Sequence, residues 1–161
     1  WVGYTISKTT REFEDLNNGE PFSAKYDRIH DLSVTATHKL NDKWVLSAIF
    51  VYASGNTLTP SLDRYLVDGN IVIEYGDRNS YRMPAYHRMD LSATFTRNKP
   101  NKKFNSSWNF SIYNVYNRAN PYFIYFDVIG EGSLTTGDLA PTALQISLFP
   151  IIPSVTWSFN F

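Results

Sequence analysis

Two histidine–aspartate pairs lie just ahead of serines: His30 and Asp31 before Ser33, and His87 and Asp90 before Ser92. A histidine oriented by a carboxylate and facing a hydroxyl is the arrangement of a general base with its nucleophile. The surrounding pattern argues against that chemistry. Both groups open stretches that alternate apolar and polar residues, and neighbours along a strand point to opposite faces. His30 and Asp31 therefore cannot aim at one atom. No nucleophile elbow or phosphate-cradling loop occurs, and "GEG" at 130–132 lacks the rest of any fingerprint. Three dispersed histidines without a cysteine make no metal-ligand cluster. The residues thus read as a chain with no catalytic, cofactor or metal site, and not as an enzyme. Asp31 and Asp90 are expected instead to pair with Arg28 and Arg88 at one end of a sheet.

The elements that carry these residues have a period of two. "DLSVTATHKL" sets Leu32, Val34, Ala36, His38 and Leu40 on one face against Asp31, Ser33, Thr35, Thr37 and Lys39. "WVLSAIFVY" sets Trp44, Leu46, Ala48, Phe50 and Tyr52 against a less polar set, Val45, Ser47, Ile49 and Val51. "MDLSATFT", "SWNFSI", "SVTWSFNF" and the opening "WVGYTIS" alternate in the same way, which predicts six strands. "DLSVTAT" and "DLSATFT" form a weak repeat, as two strands of equal orientation would. Short connections ("NDK" and "RNKPNKK") alternate with long ones, at 14–28, 55–86 and roughly 128–143. An up-and-down antiparallel sheet with its long loops at one end gives this order. "IVIEY" (71–75) reads as a strand-like extension of the middle loop, and a bend is expected between Pro150 and Pro153, because proline cannot donate to a ladder.

Composition narrows the class. The 161 residues carry 15 basic and 15 acidic side chains, no cysteine, and 16% aromatics made up of 11 Phe, 11 Tyr and 4 Trp. Zero net charge without a basic stripe gives no reason to expect a nucleic-acid partner. No apolar run approaches the about 20 residues of a membrane helix. Trp1 opens in a strand-like pattern without a signal peptide or initiator Met, so a piece of a longer protein is expected.

Alternating faces fit either a soluble sandwich or a transmembrane barrel, since one pattern is the other turned inside out. Three features favour lipid. The polar face is Ser, Thr and Asn with little charge, unlike a water-exposed surface. Aromatics gather at strand ends, with Trp44, Tyr52, Trp108 and Trp157 as a girdle and Tyr113 or Tyr116 at the far end from Trp108. None of the apolar-face positions named for these strands carries a full charge, and His38 is the one among them that could gain one. A sheet in lipid must close, and six strands are fewer than the eight of small barrels. The expectation is an all-β, antiparallel up-and-down transmembrane barrel of which residues 1–161 are the C-terminal part.

"KYDRIHDLS", "GDRNSYRMPAYHRMDLSATF", "SSWNFSIYNVYNRANPYFIYFD" and "QISLFPIIPSVTWSFNF" resemble the end of a TonB-dependent outer-membrane receptor. The type is the Bacteroidota one whose N-terminus bears a carboxypeptidase-like regulatory domain. The resemblance runs from Trp1 to Phe161 and is most specific in "YNVYNRANPYFIYF" and "SLFPIIPSV". It implies a plugged 22-stranded barrel that imports a scarce nutrient (an iron chelate, cobalamin or a glycan), with this chain as its last six strands. The plug and the segment that engages the TonB complex are absent from this chain. The end of the chain is unlike the SusC subgroup of glycan importers. Val155, Trp157, Phe159 and Phe161 resemble the C-terminal signal read by the barrel-assembly machinery. The resemblance also implies a bacterial outer-membrane location, a periplasmic C-terminus, long loops outside the cell, and a surface lipoprotein as a candidate partner. A plug-free porin, or a scaffold or adhesin barrel, is the alternative.

In the middle loop, Arg64, Tyr65, Glu74, Tyr75, Arg78, Tyr81 and Arg82 are the candidate ligand contacts. Arg and Tyr are common anchors of recognition surfaces. The competing reading is that these side chains pack the protruding hairpins together.

Overall fold

The computed structural model describes residues 1–68, 70–97, 105–129 and 140–160. Its main element is a six-stranded antiparallel sheet in chain order. The strands are β1 (Val2–Ile6), β2 (His30–Lys39), β3 (Trp44–Ala53), β4 (Tyr86–Arg97), β5 (Asn105–Tyr113) and β6 (Ile152–Asn160). Each expected strand is present, and each pairs with its neighbours in sequence. Among the described residues the sheet is open: β1 and β6 are its two edges, and no closed barrel forms. The copies of the repeat lie on β2 and β4, the equally oriented strands that flank β3. Asp31 and Tyr86 both oppose Ala53, so the copies are displaced along the sheet rather than level.

The register turns the alternation within each strand into continuous rows across strands. Ala36, Ala48, Leu91, Ile112 and Pro153 form one apolar row. Beside it on the opposite face runs Thr37, Ser47, Ser92, Ser111 and Ser154. Hydroxyls meet within that row, at 3.4 Å for Thr37 and Ser47 and 2.7 Å for Ser111 and Ser154. A one-residue slip in any strand would exchange the two faces, so the pattern fixes the register. Among the described residues no second layer covers the apolar face: Leu46, Leu91, Phe110, Val155 and Trp157 are all exposed. The few buried residues lie instead at the end of the sheet that carries the long connections, and include Phe22, Ala24, Asp27, Ala53, Thr57, Asn114 and Asn120.

The middle connection holds a hairpin, Ser61–Val67 with Asn70–Tyr75, which contains the expected "IVIEY" strand. The last connection holds another, Pro121–Ile129 with Ala140–Ser147. This hairpin is a separate two-stranded unit, and the connection runs from Asn114 to Ile151 rather than from about 128 to 143. The bend also differs in place. It falls at 148–151, where Phe149 has φ 58°, while Pro153 sits within β6 opposite Ile112. The physical reason is that Asn114 and Asn117 bond the backbone at Phe149 and Ile151 and so fix the break there. "GEG" at 130–132, most of the turn at 97–103, and Phe161 lie outside the described residues.

Candidate functional site

The histidines and carboxylates that open β2 and β4 part company, as alternation requires. His30 Nδ1 lies 2.8 Å from the Tyr4 hydroxyl, and His87 Nδ1 lies 2.8 Å from that of Tyr116. The carboxylates turn to the other face. Asp31 stands 3.9 Å from Arg28, and Asp90 2.9 Å from Arg88, the expected pairings. Arg88 is held by three partners: it donates to Asp90, to the Tyr86 hydroxyl at 3.0 Å and to the Tyr113 hydroxyl at 2.6 Å, and its guanidinium stacks 4.0 Å from the Tyr113 ring. Tyr113 therefore belongs to the polar face, and Tyr116 is the ring that joins the aromatic row. Among the described residues no three His, Asp or Glu side chains gather as metal ligands.

Aromatic residues bound the apolar face at both ends. Trp44, Phe95, Trp108 and Trp157 stand directly opposite one another across β3 to β6. Ring centroids are 5.0 Å apart for Trp44 and Phe95 and 5.8 Å apart for Trp108 and Trp157. Phe95 completes this row and was not singled out in the sequence. At the other end Tyr4, Leu32, Tyr52 and His87 are level, with Tyr116 against His87. Trp44 and Tyr52 are thus in different rows, eight residues apart on β3. That is about 27 Å along a strand. Val155, Trp157 and Phe159 lie on the same face of the edge strand β6, opposite Phe110, Trp108 and Ser106.

At the far end of the polar face, two connections are locked together. Arg82 donates to Asp27 Oδ2 at 2.5 Å, to the Asp27 carbonyl at 2.6 Å and to the Gly55 carbonyl at 2.8 Å. Thr9 N–H donates to Asp27 Oδ1 at 2.6 Å, and the Thr57 hydroxyl donates to the Ala24 carbonyl at 2.9 Å. Burial pushes the Asp27 carboxyl up, but the Thr9 N–H and the Arg82 guanidinium together outweigh it and hold it below the usual range. Gly55 has a steric reason: a Cβ there would overlap the carbonyls of Met83 and Pro84.

The third connection is tied by asparagines three residues apart. Asn114, wholly buried, donates to the carbonyls of Arg118 and Phe149 and accepts from Arg118 N–H. Asn117 accepts from Ile151 N–H, and Asn120 bonds both the N–H and the carbonyl of His87. Asn114 and Asn117 have φ of 53° and 52°, a conformation asparagine tolerates better than most residues. This network gives a physical account of "YNVYNRAN".

Between these ties a cleft of about 540 Å³ opens. Its walls carry Lys25, Arg28 and the rings of Tyr26, Tyr113, Tyr122 and Phe149, with no carboxylate among the described lining residues.

Compared with family models, with curated proteins and with solved structures, the chain finds no match. Its own residues therefore carry the functional argument. The seven loop residues expected to touch ligand do not converge on the cleft. Arg64 pairs with Ile73 and Tyr65 with Val72 in the hairpin register, and Glu74 opposes Asp63. Tyr75 and Arg78 share a separate hollow. Tyr81 is exposed and pairs with Leu58. Arg82 is held in the Asp27 lock, as the packing reading of these side chains expects. Lys25, Tyr26 and Tyr122 line the cleft instead, and their only sequence signal is their place within "KYDRIHDLS" and "YNVYNRANPYFIYF".

Proposed function

We propose that the chain forms part of the wall of a TonB-dependent outer-membrane transporter, with its apolar face in lipid and its Ser/Thr rows toward the lumen. The observation that carries the membrane half of this reading is the pair of aromatic rows. They bound an uncovered apolar face across about 27 Å of strand, which at the about 40° tilt of barrel strands rises about 21 Å and so covers most of the about 25 Å apolar band of outer-membrane barrels. An exposed apolar surface of this extent marks contact with another phase or partner. In lipid the open edges β1 and β6 need further strands beside them, so the chain belongs to a larger closed barrel. The transport half rests on the family resemblance and on a hydroxyl-lined face that suits a lumen. On this reading the short turn at 40–43 is periplasmic, and the long connections project outward. Val155, Trp157, Phe159 and Phe161 serve as the assembly signal, and Trp44, Tyr52, Trp108 and Trp157 as girdle.

The test is electrophoresis of the natural full-length polypeptide from outer-membrane extracts, boiled and unboiled, beside nutrient uptake in a deletion strain. A heat-shifted band of plugged-receptor size with impaired uptake supports the proposal. A band recovered in the soluble fraction sinks the membrane reading. A heat-shifted band with unchanged uptake leaves the barrel and removes the transporter.

A further inference from the structure

We propose that the cleft between the three long connections binds a ligand whose docking group is a planar aromatic ring bearing a carboxylate. The proposal names a ligand class for the outward end of the chain, and it depends on the transport reading only for the direction from which that ligand arrives.

Three observations carry it. The first is charge. Lys25 and Arg28 are the ionic side chains of the cleft, and no Asp or Glu stands among its described lining residues. Arg28 is partly engaged, by Asp31 at 3.9 Å and by Asn56 at 3.2 Å. Lys25 makes no ion pair among the described residues and sits 5.7 Å from the Tyr26 ring. A cation left exposed over an aromatic face is disposed to take an anion that itself carries a ring.

The second is shape and surface. About 540 Å³ falls within the range of small-molecule sites, where apolar and aromatic walls with a few placed polar groups are the rule. Tyr26 is 73% exposed and Tyr122 67% exposed, so both rings are open for stacking rather than buried in packing. The third is preorganisation. Tyr113 is fixed by the Arg88 guanidinium, which stacks on its ring and donates to its hydroxyl. One wall of the cleft is thus rigid before any ligand enters, which lowers the ordering cost of binding.

The experiment is calorimetric titration of the natural full-length polypeptide in detergent with 2-naphthoate and, separately, with the neutral 2-naphthylmethanol. The naphthoate is expected to bind more tightly than the alcohol by up to about fivefold, the discrimination a partly exposed ion pair gives. Lys25→Met should remove most of that preference while leaving the alcohol unchanged, and Tyr122→Ala should weaken both. Both side chains are exposed, and neither takes part in the Asp27 or Asn114 networks. Equal binding of the two probes, binding of neither, or a naphthoate affinity indifferent to Lys25→Met would each overturn the proposal. The heat-shift test is independent of this titration. A barrel that shifts on boiling but ignores naphthoate loses the ligand class alone, whereas loss of the heat shift strikes the membrane reading.

Discussion

Asp27 and Arg82, 55 residues apart in sequence, meet at 2.5 Å, and the Asp27 side chain is 1% exposed while that of Arg82 is 28% exposed. The pair therefore joins two connections that the sheet alone leaves separate. Replacing Arg82 with Met would strand a buried carboxylate and remove donors to two carbonyls. The expected cost to the looped end is about 3 kcal/mol, read as faster hydrogen exchange at Thr9 and Thr57 with the strands unaffected. Unchanged exchange at those amides would show that the lock is idle.

The same pair sets a pH dependence. The native Asp27 carboxyl titrates below its unfolded counterpart, which lies near about 3.9. Its stabilisation is then fully present above that unfolded value and is lost as the pH falls through the depressed native one. The protection of the Thr9 amide, its exchange corrected for the intrinsic pH dependence of amide exchange, should be equal at pH 7 and pH 5 and fall only below the ordinary carboxylate range. In Asp27→Asn that acid step should vanish. An acid step that persists in Asp27→Asn would assign it to another group.

Asn114 is the second tie worth breaking. Asn114→Ala would leave the carbonyls of Arg118 and Phe149 and the N–H of Arg118 without their partner in a buried place, and would put alanine at φ 53°. Each unsatisfied buried group costs about 1–3 kcal/mol, so Asn114→Ala and Asn114→Gly should both unfold below the wild type, and the alanine variant lower still, because it alone is strained at positive φ. Thermal loss of the heat-shifted band reads the difference. Equal midpoints for the two variants would mean that the backbone conformation contributes nothing.

What was legible beforehand follows the range of the interaction. Leu46, Ala48 and Phe50 announce their common face through local alternation, so the strands and their order could be read directly. Asn114, Asn117 and Asn120 also carried a local sign, asparagine at a spacing of three before a proline. Asp27 carried none: its partners Thr9 and Arg82 lie on other segments, and nothing in "KYDRIH" distinguishes a buried aspartate from an exposed one. For the same reason Arg82 looked like a recognition arginine, as good as Arg78 by composition. The cleft was invisible because Lys25, Tyr113 and Tyr122 come from three distant stretches.

The sharpest separation of lipid from lumen comes from two adjacent positions on β3. Ala48 lies midway between the Trp44 and Tyr52 rows, in the apolar row with Ala36, Leu91 and Ile112. Ser47 is its neighbour on the opposite face, in the hydroxyl row with Thr37 and Ser92. Arginine on the lipid face at the bilayer midplane costs about 2–4 kcal/mol, whereas a lumen position meets water. Ala48→Arg should therefore lower folding yield into lipid vesicles sharply, and Ser47→Arg should leave it nearly unchanged. If the apolar face were instead the inside of a soluble sandwich, Ala48→Arg would fail in detergent-free buffer and no vesicle would be needed for the wild type to fold. Equal tolerance of both arginines in vesicles would mean that neither face meets hydrocarbon. The two substitutions differ by one residue and share local propensity, so depth and facing alone separate them.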